Sequence, residues 1–494
     1  MKLDEDLQSI QEARDLLKSA KQAQAIVEEM SQDEIDRIVE SMAQTAEHAA
    51  EHLASLAVEE TGYGNQIDKK VKNLFAARDV FQAIRELKTV GIIRRDEQHK
   101  VWEVAQPVGI IAGIIPSTNP TSTVIFKALI AVKARNAIVF SPHPAAMRCT
   151  AEAAKYMQRA AEQAGAPQGL ISCLTKPTMA ASQELMSHKL TDLILATGGT
   201  SMVKAAYSSG KPAYGVGPGN VPVYIHESAE ILEAVRLILA SKTFDYGTIC
   251  ASEQALVVDR AVKKPLIAEL IRQGAYFLND LEKQKLASIL MVNNGLNPRV
   301  VGKAPQIIAQ LAGFTIPSEI KVLVAEEEQI GRAHPLSIEK LSPILALYTV
   351  NDWQEGCQVC VKLLQLGGLG HTLGLYCRDK AVIESFGLKK PASRIVVNSG
   401  TTFGAIGSST GIFPSLTLGC GSFGNNITTD NIGPQHLLNI KRIAFHIKEV
   451  NTERKQEVLT ETDTSTESIQ RLSISKEEIT EIVQRIIREH QLKS

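Results

Sequence analysis

The chain has 494 residues, of which 44% are hydrophobic and 22% charged, and its 53 basic and 54 acidic residues give a formal net charge of −1. This is the composition of an ordinary globular protein with apolar material for large cores, and its balanced charge argues against a dedicated nucleic-acid binder. No apolar run approaches the roughly 18–20 residues needed to cross a bilayer, and residues 1–20 lack the apolar centre of a secretory signal, so we expect no nucleic-acid and no membrane partner.

The first 90 residues are predicted to be helical. Residues 3–30 and 32–60 are rich in Ala, Glu, Gln and Leu, with apolar residues at helical spacing. Ser31 followed by Glu34 has the form of a capping box, which predicts that a helix begins there.

From about residue 93 the pattern changes to short apolar runs that alternate with amphipathic helices. Helices are predicted at 121–133 and 145–163, and strands at 101–104, 108–115, 137–140, 193–196, 221–225, 255–258, 321–324, 344–348 and 395–397. Such alternation is typical of βαβ units and parallel sheets. We therefore expect an α/β protein with two stacked Rossmann-like lobes and a ligand site in the cleft between them.

The C-terminal region is predicted to be a flexible linker followed by an amphipathic helix. Residues 451–473 are polar and rich in Thr, Ser and Glu, which indicates disorder. After Ser475 an apolar stripe follows at helical spacing, formed by Ile479, Ile482, Val483, Ile486 and Ile487. A helix of about fifteen residues is marginal alone in water. We expect it to dock either on its own oligomer or on another protein.

Seven irregularly spaced cysteines do not form a disulfide framework, and they favour a reducing, cytoplasmic setting. Cys357 and Cys360 form a CxxC pair without a second pair nearby. They are interpreted as two partly buried thiols on a helix, and no metal site is expected.

Cys250 is the candidate nucleophile. It follows a Tyr-Gly turn within Phe244-Asp-Tyr-Gly-Thr-Ile-Cys and is flanked by small residues, just before a predicted strand. A thiol placed there can face a cleft, and a thiolate is a strong nucleophile near neutral pH. The alternative is that Cys250 is only a small buried apolar residue.

Three turns accompany this cysteine. Asn119 lies between an apolar strand and a helix, where its amide could donate to a developing oxyanion or could simply form a turn before proline. Gly198 and Gly199 lie at a strand-to-helix turn, where glycine lets the backbone approach a pyrophosphate. A glycine- and proline-rich loop at 214–223 is expected in the cleft wall.

In this order the segments resemble the aldehyde dehydrogenase superfamily, and more narrowly its coenzyme A-acylating branch. The resemblance extends over roughly residues 5–445. Its most specific stretches run from Gly109 through Asn119, over Ser141-Pro-His-Pro, from Asp245 through Cys250 to Ala255, and from Pro414 to Ser422. No alcohol dehydrogenase half follows, which favours a monofunctional chain.

The resemblance implies a role for each of these positions. Cys250 corresponds to the nucleophile, and Asn119, with the Cys250 backbone N–H, to the oxyanion donor. Gly198 and Gly199 correspond to the turn over the cofactor pyrophosphate, and Thr197 to a residue beside the nicotinamide. The resemblance places Glu339 on the nicotinamide ribose. Ser141 and Pro142 stand where hydrolytic members hold the adenosine ribose with a lysine and a glutamate.

Two departures from the hydrolytic members matter. Their water-activating glutamate is replaced by the loop Gly215-Val-Gly-Pro-Gly, which has no carboxylate. A general base is typically worth about 10²–10⁴-fold, so water attack on a Cys250 thioester is expected to be slow and coenzyme A to act as acceptor. The adenosine-ribose residues are also missing, which leaves NAD, favoured by the resemblance, and NADP both open.

The base that deprotonates Cys250 is not evident from the sequence. Glu253 is one candidate, although a solvated or strand-edge carboxylate is the simpler interpretation. His371 could line the cleft or could be a structural histidine. Cys420, between two glycines, is expected to line the substrate site without acting as a second nucleophile.

The predicted reaction converts an aldehyde, coenzyme A and NAD⁺ into acyl-CoA and NADH, and acetaldehyde or propionaldehyde is the expected substrate. A succinic semialdehyde dehydrogenase that uses coenzyme A, a hydrolytic aldehyde dehydrogenase and an inactive scaffold or cargo protein are the alternatives. By resemblance we also expect a homodimer or homotetramer, and a C-terminal helix that targets the enzyme to shell or cargo proteins of a bacterial microcompartment.

The predicted domain organisation follows the resemblance. Residues 1–217 form the cofactor-binding domain, interrupted by an oligomerisation β-hairpin at about 93–107. Residues 218–430 form the catalytic domain, and 431–449 a returning segment with a strand near 440–447 that pairs between subunits. The linker is placed at 450–473 and the amphipathic helix at 474–494.

Overall fold

The computed structural model describes residues 4–293, 295–450 and 475–491. The helices are α1 (Glu5–Val27), α2 (Gln32–Thr61), α3 (Gln66–Leu74), α4 (Phe81–Ile84), α5 (Pro120–Lys133), α6 (Met147–Gln163), α7 (Met179–Ser187), α8 (Thr200–Tyr207), α9 (Ile231–Thr243), α10 (Arg260–Arg272), α11 (Asp280–Leu290), α12 (Pro305–Leu311), α13 (Trp353–Leu366), α14 (Lys380–Lys389), α15 (Thr401–Ala405) and α16 (Lys476–Gln491). The strands are β1 (Gly91–Asp96), β2 (Val101–Pro107), β3 (Ile110–Ile114), β4 (Ala137–Ser141), β5 (Ile171–Cys173), β6 (Leu193–Thr197), β7 (Ala213–Val216), β8 (Val221–Ile225), β9 (Glu253–Asp259), β10 (Ala275–Phe277), β11 (Met291–Val292), β12 (Gly295–Leu296), β13 (Val322–Glu326), β14 (Ile344–Val350), β15 (Gly370–Tyr376), β16 (Ala392–Val397) and β17 (Leu438–Ala444).

The N-terminal helices form as the sequence predicts. Ser31 caps α2 in a capping box with Glu34, and Gly62 ends the same helix in the left-handed conformation. The buried stripes of α1 and α2 are rich in alanine, which allows these helices to pack closely against α5, α6 and the first sheet in one continuous core.

The first sheet has five parallel strands in the order β5-β4-β3-β6-β7. Its central strands are buried along their whole length, as expected for a parallel sheet with helices on both faces. The expectation of βαβ units over residues 108–216 is confirmed.

The second sheet has seven parallel strands in the order β10-β13-β14-β9-β8-β15-β16. Separate apolar clusters cover its two faces. Cys357 and Cys360 lie on α13 in one of these clusters, which agrees with the prediction that both are on a helix, but the two thiols are buried rather than partly buried.

The hairpin predicted at about 93–107 is present as the antiparallel pair β1 and β2. The predicted C-terminal strand is β17, which pairs with β2 of the same chain from Leu438 opposite Pro107 to Ala444 opposite Val101. This three-stranded sheet closes within one chain, whereas pairing between subunits stays a prediction.

The described residues up to 445 form one compact unit that contains all three of these sheets, and the division into domains at residue 217 stays a prediction. The described residues from 446 onwards belong to a second unit. In that unit α16 exposes Ile479, Ile482 and Val483, which agrees with the predicted apolar stripe. The predicted linker lies, from residue 451 onwards, outside the described residues. No helix in the described part of the chain is long and apolar enough to span a membrane.

Candidate active site

The candidate site forms where one edge of each large sheet contributes loops to the same cavity. In the first sheet, Asn119 and Thr197 lie at or just beyond the carboxyl ends of β3 and β6. In the second sheet, Cys250 and Glu339 precede the amino ends of β9 and β14. Because neighbouring strands of a parallel sheet end at the same edge, residues far apart in sequence converge there.

These loops enclose a cavity of about 240 Å³. Its wall includes six residues that the sequence singled out: Cys250, Asn119, Thr197, Gly198, Gly199 and Glu339. Val216, Gly217 and Pro218 also line it, so the glycine- and proline-rich loop forms part of the cavity wall, as predicted.

The other candidates lie outside this wall. Ser141 is buried at the end of β4 and its Oγ lies 2.8 Å from Ser182 Oγ, and Pro142 is also buried, whereas the adjacent His143 lines the cavity. Cys420 is buried, and its thiol faces the Leu418 carbonyl at 3.5 Å. His371 is also buried, but it contacts the cavity through Cys250.

Cys250 is partly exposed, and its Sγ lies 3.3 Å from Nε2 of His371. The loop before β8 packs directly over this pair. A Cβ at Gly219 would lie 2.3 Å from the Cys250 carbonyl and 3.2 Å from the His371 ring, so only glycine fits there.

Burial raises the pKa of the Cys250 thiol to about 12; Glu339 and Cys420 add to this rise, and Arg394 opposes it. The thiol is therefore protonated at neutral pH in this state. A thiolate forms only when a base accepts its proton or when the surroundings change, as they would on ligand binding.

His371 is placed to accept that proton. Burial, and then the charge of Arg394, lowers its pKa to about 3, so the imidazole is neutral. Its Nδ1 lies 3.0 Å from Thr372 Oγ1. When Nδ1–H donates to that oxygen, Nε2 is free to accept from the Cys250 thiol.

Arg394 lies next to both Cys250 and His371. Its buried guanidinium donates to the carbonyls of His371 at 2.9 Å and Gly419 at 2.6 Å. Its further hydrogen-bond partners are also uncharged: Thr372, Thr429 and Asn431. Within the described residues this buried cation has no hydrogen bond to a carboxylate, and it favours the thiolate forms of the two neighbouring cysteines, Cys420 and Cys250.

Asn119 occupies the N-cap position of α5, with Pro120 in the first turn, but its side chain makes no capping hydrogen bond. Its Oδ1 accepts a hydrogen bond from Lys72 Nζ. Its Nδ2 donates to Thr118 Oγ1 at 3.1 Å and to the Thr248 carbonyl, two residues before Cys250, at 3.2 Å. The amide nitrogen therefore faces the loop that carries the cysteine.

Glu339 is the only acidic residue among the described residues that line the cavity. Its Oε1 accepts a hydrogen bond of 2.8 Å from the Gly219 backbone N–H. Burial raises its pKa to about 7, against the opposing effects of that hydrogen bond and of Lys242 and Lys340. It is thus the one carboxyl group that could compete with His371 as a base.

The interpretation of Glu253 as a solvated or strand-edge carboxylate is wrong. Glu253 is fully buried on β9, where its carboxylate accepts from Ser241 Oγ at 2.8 Å and from the Thr401 backbone N–H at 2.7 Å. Both of its oxygens are engaged, and it does not line the cavity.

Sequence reasoning missed Lys72, which lines the cavity and is bonded to Asn119. It also missed Arg394 and gave no priority to His371. The contact between His371 and Cys250 joins residues 121 positions apart, and that between Lys72 and Thr248 joins residues 176 positions apart. No local motif signals such pairs.

A thiol beside an imidazole, in a cavity between two α/β lobes, is typical of an enzyme that acts through a cysteine. Similarity to known proteins identifies the class of enzyme. The model of the aldehyde dehydrogenase family matches residues 7–277, and the chain belongs to this family.

Two similar proteins match more of this chain than the family model does. An acetylating aldehyde dehydrogenase from Geobacillus thermoglucosidasius has a crystal structure that superposes with a TM-score of 0.90 at 68% identity, covering 90% of this chain and 99% of that one. The bifunctional aldehyde-alcohol dehydrogenase AdhE of Escherichia coli K12 is 43% identical over 441 residues, which are 88% of this chain and 50% of the relative. The chain thus spans about half the length of that curated relative.

A third similar protein is a propionaldehyde dehydrogenase from the fucose utilisation microcompartment of Clostridium phytofermentans. Its structure superposes with a TM-score of 0.79 at 29% identity and covers 88% of this chain and 97% of that one. The likeness of fold therefore extends well beyond the region matched by the family model.

Proposed function

We propose that the chain is a coenzyme A-acylating aldehyde dehydrogenase. An aldehyde, coenzyme A and NAD⁺ give acyl-CoA, NADH and a proton through a thioester on Cys250. The observation that carries the proposal is the Cys250 thiol held 3.3 Å from His371 in a cavity whose adjoining loop, Gly215–Gly219, has no carboxylate. The names of the similar acetylating enzymes support the same activity.

Cys250 is the nucleophile and His371 its base in this proposal. His371 Nε2 takes the thiol proton as the sulfur bonds to the aldehyde carbon, and the carbonyl oxygen becomes an oxyanion. Asn119 Nδ2 and the Cys250 backbone N–H are the donors proposed for that oxyanion, because Asn119 is the amide that faces the cysteine loop.

The nicotinamide dinucleotide fits the open part of the cavity. A Cβ added at Gly199 or Gly217 would meet no atom within 4 Å, so both glycines border free space that a pyrophosphate could fill. Thr197, Gly198 and Gly199 would hold the phosphates and nicotinamide, and Glu339 the nicotinamide ribose. Bound there, the nicotinamide supplies the hydride acceptor.

NAD is the proposed cofactor. Ser141-Pro-His143 at the end of β4 carries neither a carboxylate to bind a ribose 2′-hydroxyl nor an arginine to bind a 2′-phosphate. The similarity to acetylating enzymes favours NAD, and NADP stays the alternative.

Release of the acyl group is assigned to coenzyme A. The coenzyme A thiol gives up its proton as its sulfur attacks the thioester carbon, the bond to Cys250 breaks, and Cys250 takes up a proton to return to the resting thiol. The proton that His371 accepted in the first step leaves to solvent, which accounts for the proton released in the overall reaction. Water is a poor competitor in this proposal, because the loop Gly215–Gly219 carries no base, Glu339 is engaged by the cofactor, and His371 is buried behind Cys250 and does not line the cavity.

The proposed substrate is a short, uncharged aldehyde, acetaldehyde or propionaldehyde. The cavity is small, and apolar side chains form much of its wall: Ile249, Leu341, Ile406, Leu416 and Leu418. Of the two basic residues that line it, Lys72 is already bonded to Asp245. The carboxylate of a substrate such as succinic semialdehyde finds no free cation among the described lining residues, because burial lowers the pKa of His143 below its usual value and leaves that imidazole neutral at pH 7.

The requirement for coenzyme A tests the reaction. Purified protein with acetaldehyde and NAD⁺ alone is expected to release about one equivalent of NADH per active site and then to stop, because the thioester has no efficient exit. Addition of coenzyme A should give sustained NADH and stoichiometric acetyl-CoA, measured by absorbance and mass spectrometry.

Glu339→Gln is the control for the hydrolytic alternative. If Glu339 activates water, the native protein would turn over continuously without coenzyme A, release free acid, and lose this release in the variant. That result would contradict the proposal. If Glu339 holds the ribose, the variant instead raises the KM for NAD⁺ and leaves the coenzyme A requirement intact.

We also propose a homodimer or homotetramer, and a cytoplasmic location within a microcompartment. The three-stranded sheet leaves Ile443 and Phe445 about half exposed along and just beyond β17, an apolar edge suited to a second subunit. The exposed stripe of α16 is the surface proposed to bind shell or cargo proteins.

Removal of that helix tests the targeting proposal. A chain ending at Glu449 is expected to lose co-purification with co-expressed shell proteins while it retains aldehyde dehydrogenase activity. Ile482→Glu, which places a charge on the apolar stripe within the full chain, should cause the same loss. Equal recovery of the truncated and full chains with the shell would contradict targeting by α16.

A further inference from the structure

A buried cluster of charged residues underlies the cysteine loop. Lys69 and Lys72 of α3 and Asp245 of the cysteine loop are each less than 5% exposed. Asp245 Oδ2 accepts from Lys69 Nζ at 3.0 Å, from Lys72 Nζ and from Thr248 Oγ1. Charges this deep are stable only when they are paired, so the cluster fixes α3 against the loop.

The backbone of Asp245 shows how strongly this position is constrained. Asp245 and Tyr246 have φ values of 48° and 51°, in the left-handed region that few non-glycine residues adopt. The Asp245 N–H donates to Asp68, and its Oδ1 accepts from the Asn65 N–H. A Cβ at Gly64 would lie 1.8 Å from the Asp245 carboxylate, so the neighbouring turn needs a glycine.

The two lysines differ in what else they reach. Lys69 Nζ donates to the Thr118 carbonyl at 3.0 Å. Lys72 Nζ donates to Asn119 Oδ1 and, at 2.9 Å, to Thr248 Oγ1, and it lines the cavity. Only Lys72 therefore connects the charged cluster to the amide assigned to the oxyanion.

This contact fixes which way the amide points. A lysine ammonium can donate hydrogen bonds but cannot accept them, so it selects the oxygen of Asn119 and turns Nδ2 toward the cysteine loop. We propose that Lys72 is a positioning residue for the oxyanion site: it holds the Asn119 amide with Nδ2 directed at the cysteine loop, where it donates to the Thr248 carbonyl, and its charge polarises the N–H groups of that amide.

The charge of Lys72 is maintained by its neighbours. Burial lowers its pKa to about 8, while Asp245 and, more weakly, Asp68 favour the ammonium form and Lys69 opposes it. At pH 7 the side chain is therefore predominantly a charged donor.

Two reactions of Cys250 separate positioning of the oxyanion site from a general structural role. In acylation by p-nitrophenyl acetate, the sulfur bonds to the carbonyl carbon, the carbonyl oxygen carries an oxyanion, and nitrophenolate leaves. In alkylation by iodoacetamide, the sulfur displaces iodide from a methylene carbon and no oxyanion forms. The first reaction needs the Asn119 amide, and the second does not.

Lys72→Met is expected to slow acylation about 10- to 100-fold, somewhat less than removal of an oxyanion donor itself, and to change alkylation about threefold at most. Both rates are followed at pH 7 by mass spectrometry of the peptide that carries Cys250. Lys72→Gln, which retains a donor without the charge, is expected to recover part of the acylation rate and serves also if the methionine variant folds poorly.

Lys69→Met is the matched control, because it breaks the same contact with Asp245 but not the one with Asn119. It should lower the two rates by similar small factors. In an Asn119→Ala background, Lys72→Met should cost little further acylation, since residues that act through one another are not additive. Equal loss of both reactions in Lys72→Met, an unchanged acylation rate, or multiplying losses in the double variant would each overturn the inference.

The inference rests on the proposed function only for the role of Asn119. Neither reagent needs coenzyme A or a nicotinamide, so the two ideas fail separately. If the native protein shows no coenzyme A-dependent turnover, the proposed function fails while the comparison of acylation with alkylation still decides the role of Lys72.

Discussion

Cys250→Ala is expected to abolish the oxidation of aldehyde, with a loss of about 10⁶-fold in kcat, as is typical when a nucleophile is removed. No other cysteine in the described residues lines the cavity, so none can replace it. The measurement is NADH formation with acetaldehyde, NAD⁺ and coenzyme A, together with the intact mass of the protein after exposure to aldehyde and NAD⁺ alone. Only the native chain should gain an acyl group.

Cys173→Ala is the matched control, because Cys173 is partly exposed like Cys250 but lies on β5 with its thiol toward the Leu174 carbonyl. Its activity and its acyl adduct should match those of the native chain. An acyl adduct that still forms on the Cys250→Ala variant would show that another residue is the nucleophile. Absence of any adduct in the native chain would favour the scaffold alternative.

Local sequence pattern was enough to select several residues that line the cavity, while the roles assigned to them stay predictions. Asn119, Thr197 and the two glycines each follow a strand that short-range pattern identifies, and parallel strands bring such positions to one edge. The position of Glu339 was implied by resemblance alone, since nothing in its neighbourhood indicates that it faces a cavity. Its bond to Gly219 depends on how the second sheet is assembled.

The supporting groups could not be predicted, for a physical reason. Asp68-Lys-Lys-Val-Lys72 has the pattern of a solvated helix face, yet Lys69 and Lys72 are buried because Asp245 lies opposite them. Glu253 precedes the apolar run at 255–258, as many surface carboxylates do, but in the structure it is the first residue of β9, and Ser241 and Thr401 complete its hydrogen bonds in the core. Burial of a charge depends on its partner, and the partner is distant in the chain.

The fold likewise has parts that local sequence pattern predicts and parts that depend on contacts between distant segments. Apolar runs and helical periodicity predicted the two lobes, whereas the pairing of β17 with β2 of its own chain joins segments more than 300 residues apart. A strand near the end of the chain can pair within its own chain or with a neighbour's by the same hydrogen bonds, so sequence pattern does not distinguish these pairings.

His371→Gln is expected to lower kcat/KM for the aldehyde about 10²–10⁴-fold at pH 7, because glutamine can accept a hydrogen bond from the Cys250 thiol but cannot take its proton. Wild type and variant are compared by steady-state NADH formation with coenzyme A. His226→Gln is the matched control: His226 is also buried in the second lobe, but it contacts Ser228, and its variant should retain native activity.

The pH dependence distinguishes a base from a structural residue. With the pKa of Cys250 raised to about 12 and that of His371 lowered to about 3, the resting pair is a neutral thiol and a neutral imidazole from pH 6 to 9. In the wild type the proton passes to His371 as the sulfur attacks, and the negative charge that develops on the sulfur stabilises the imidazolium, so alkylation of Cys250 should depend little on pH. In His371→Gln the thiolate must form by loss of a proton to solvent, so alkylation should rise about tenfold per pH unit. The ratio of wild-type to variant rates should then fall as the pH rises. A ratio that stays constant across this range would show that His371 only supports the loop, and Glu339 would become the base to test.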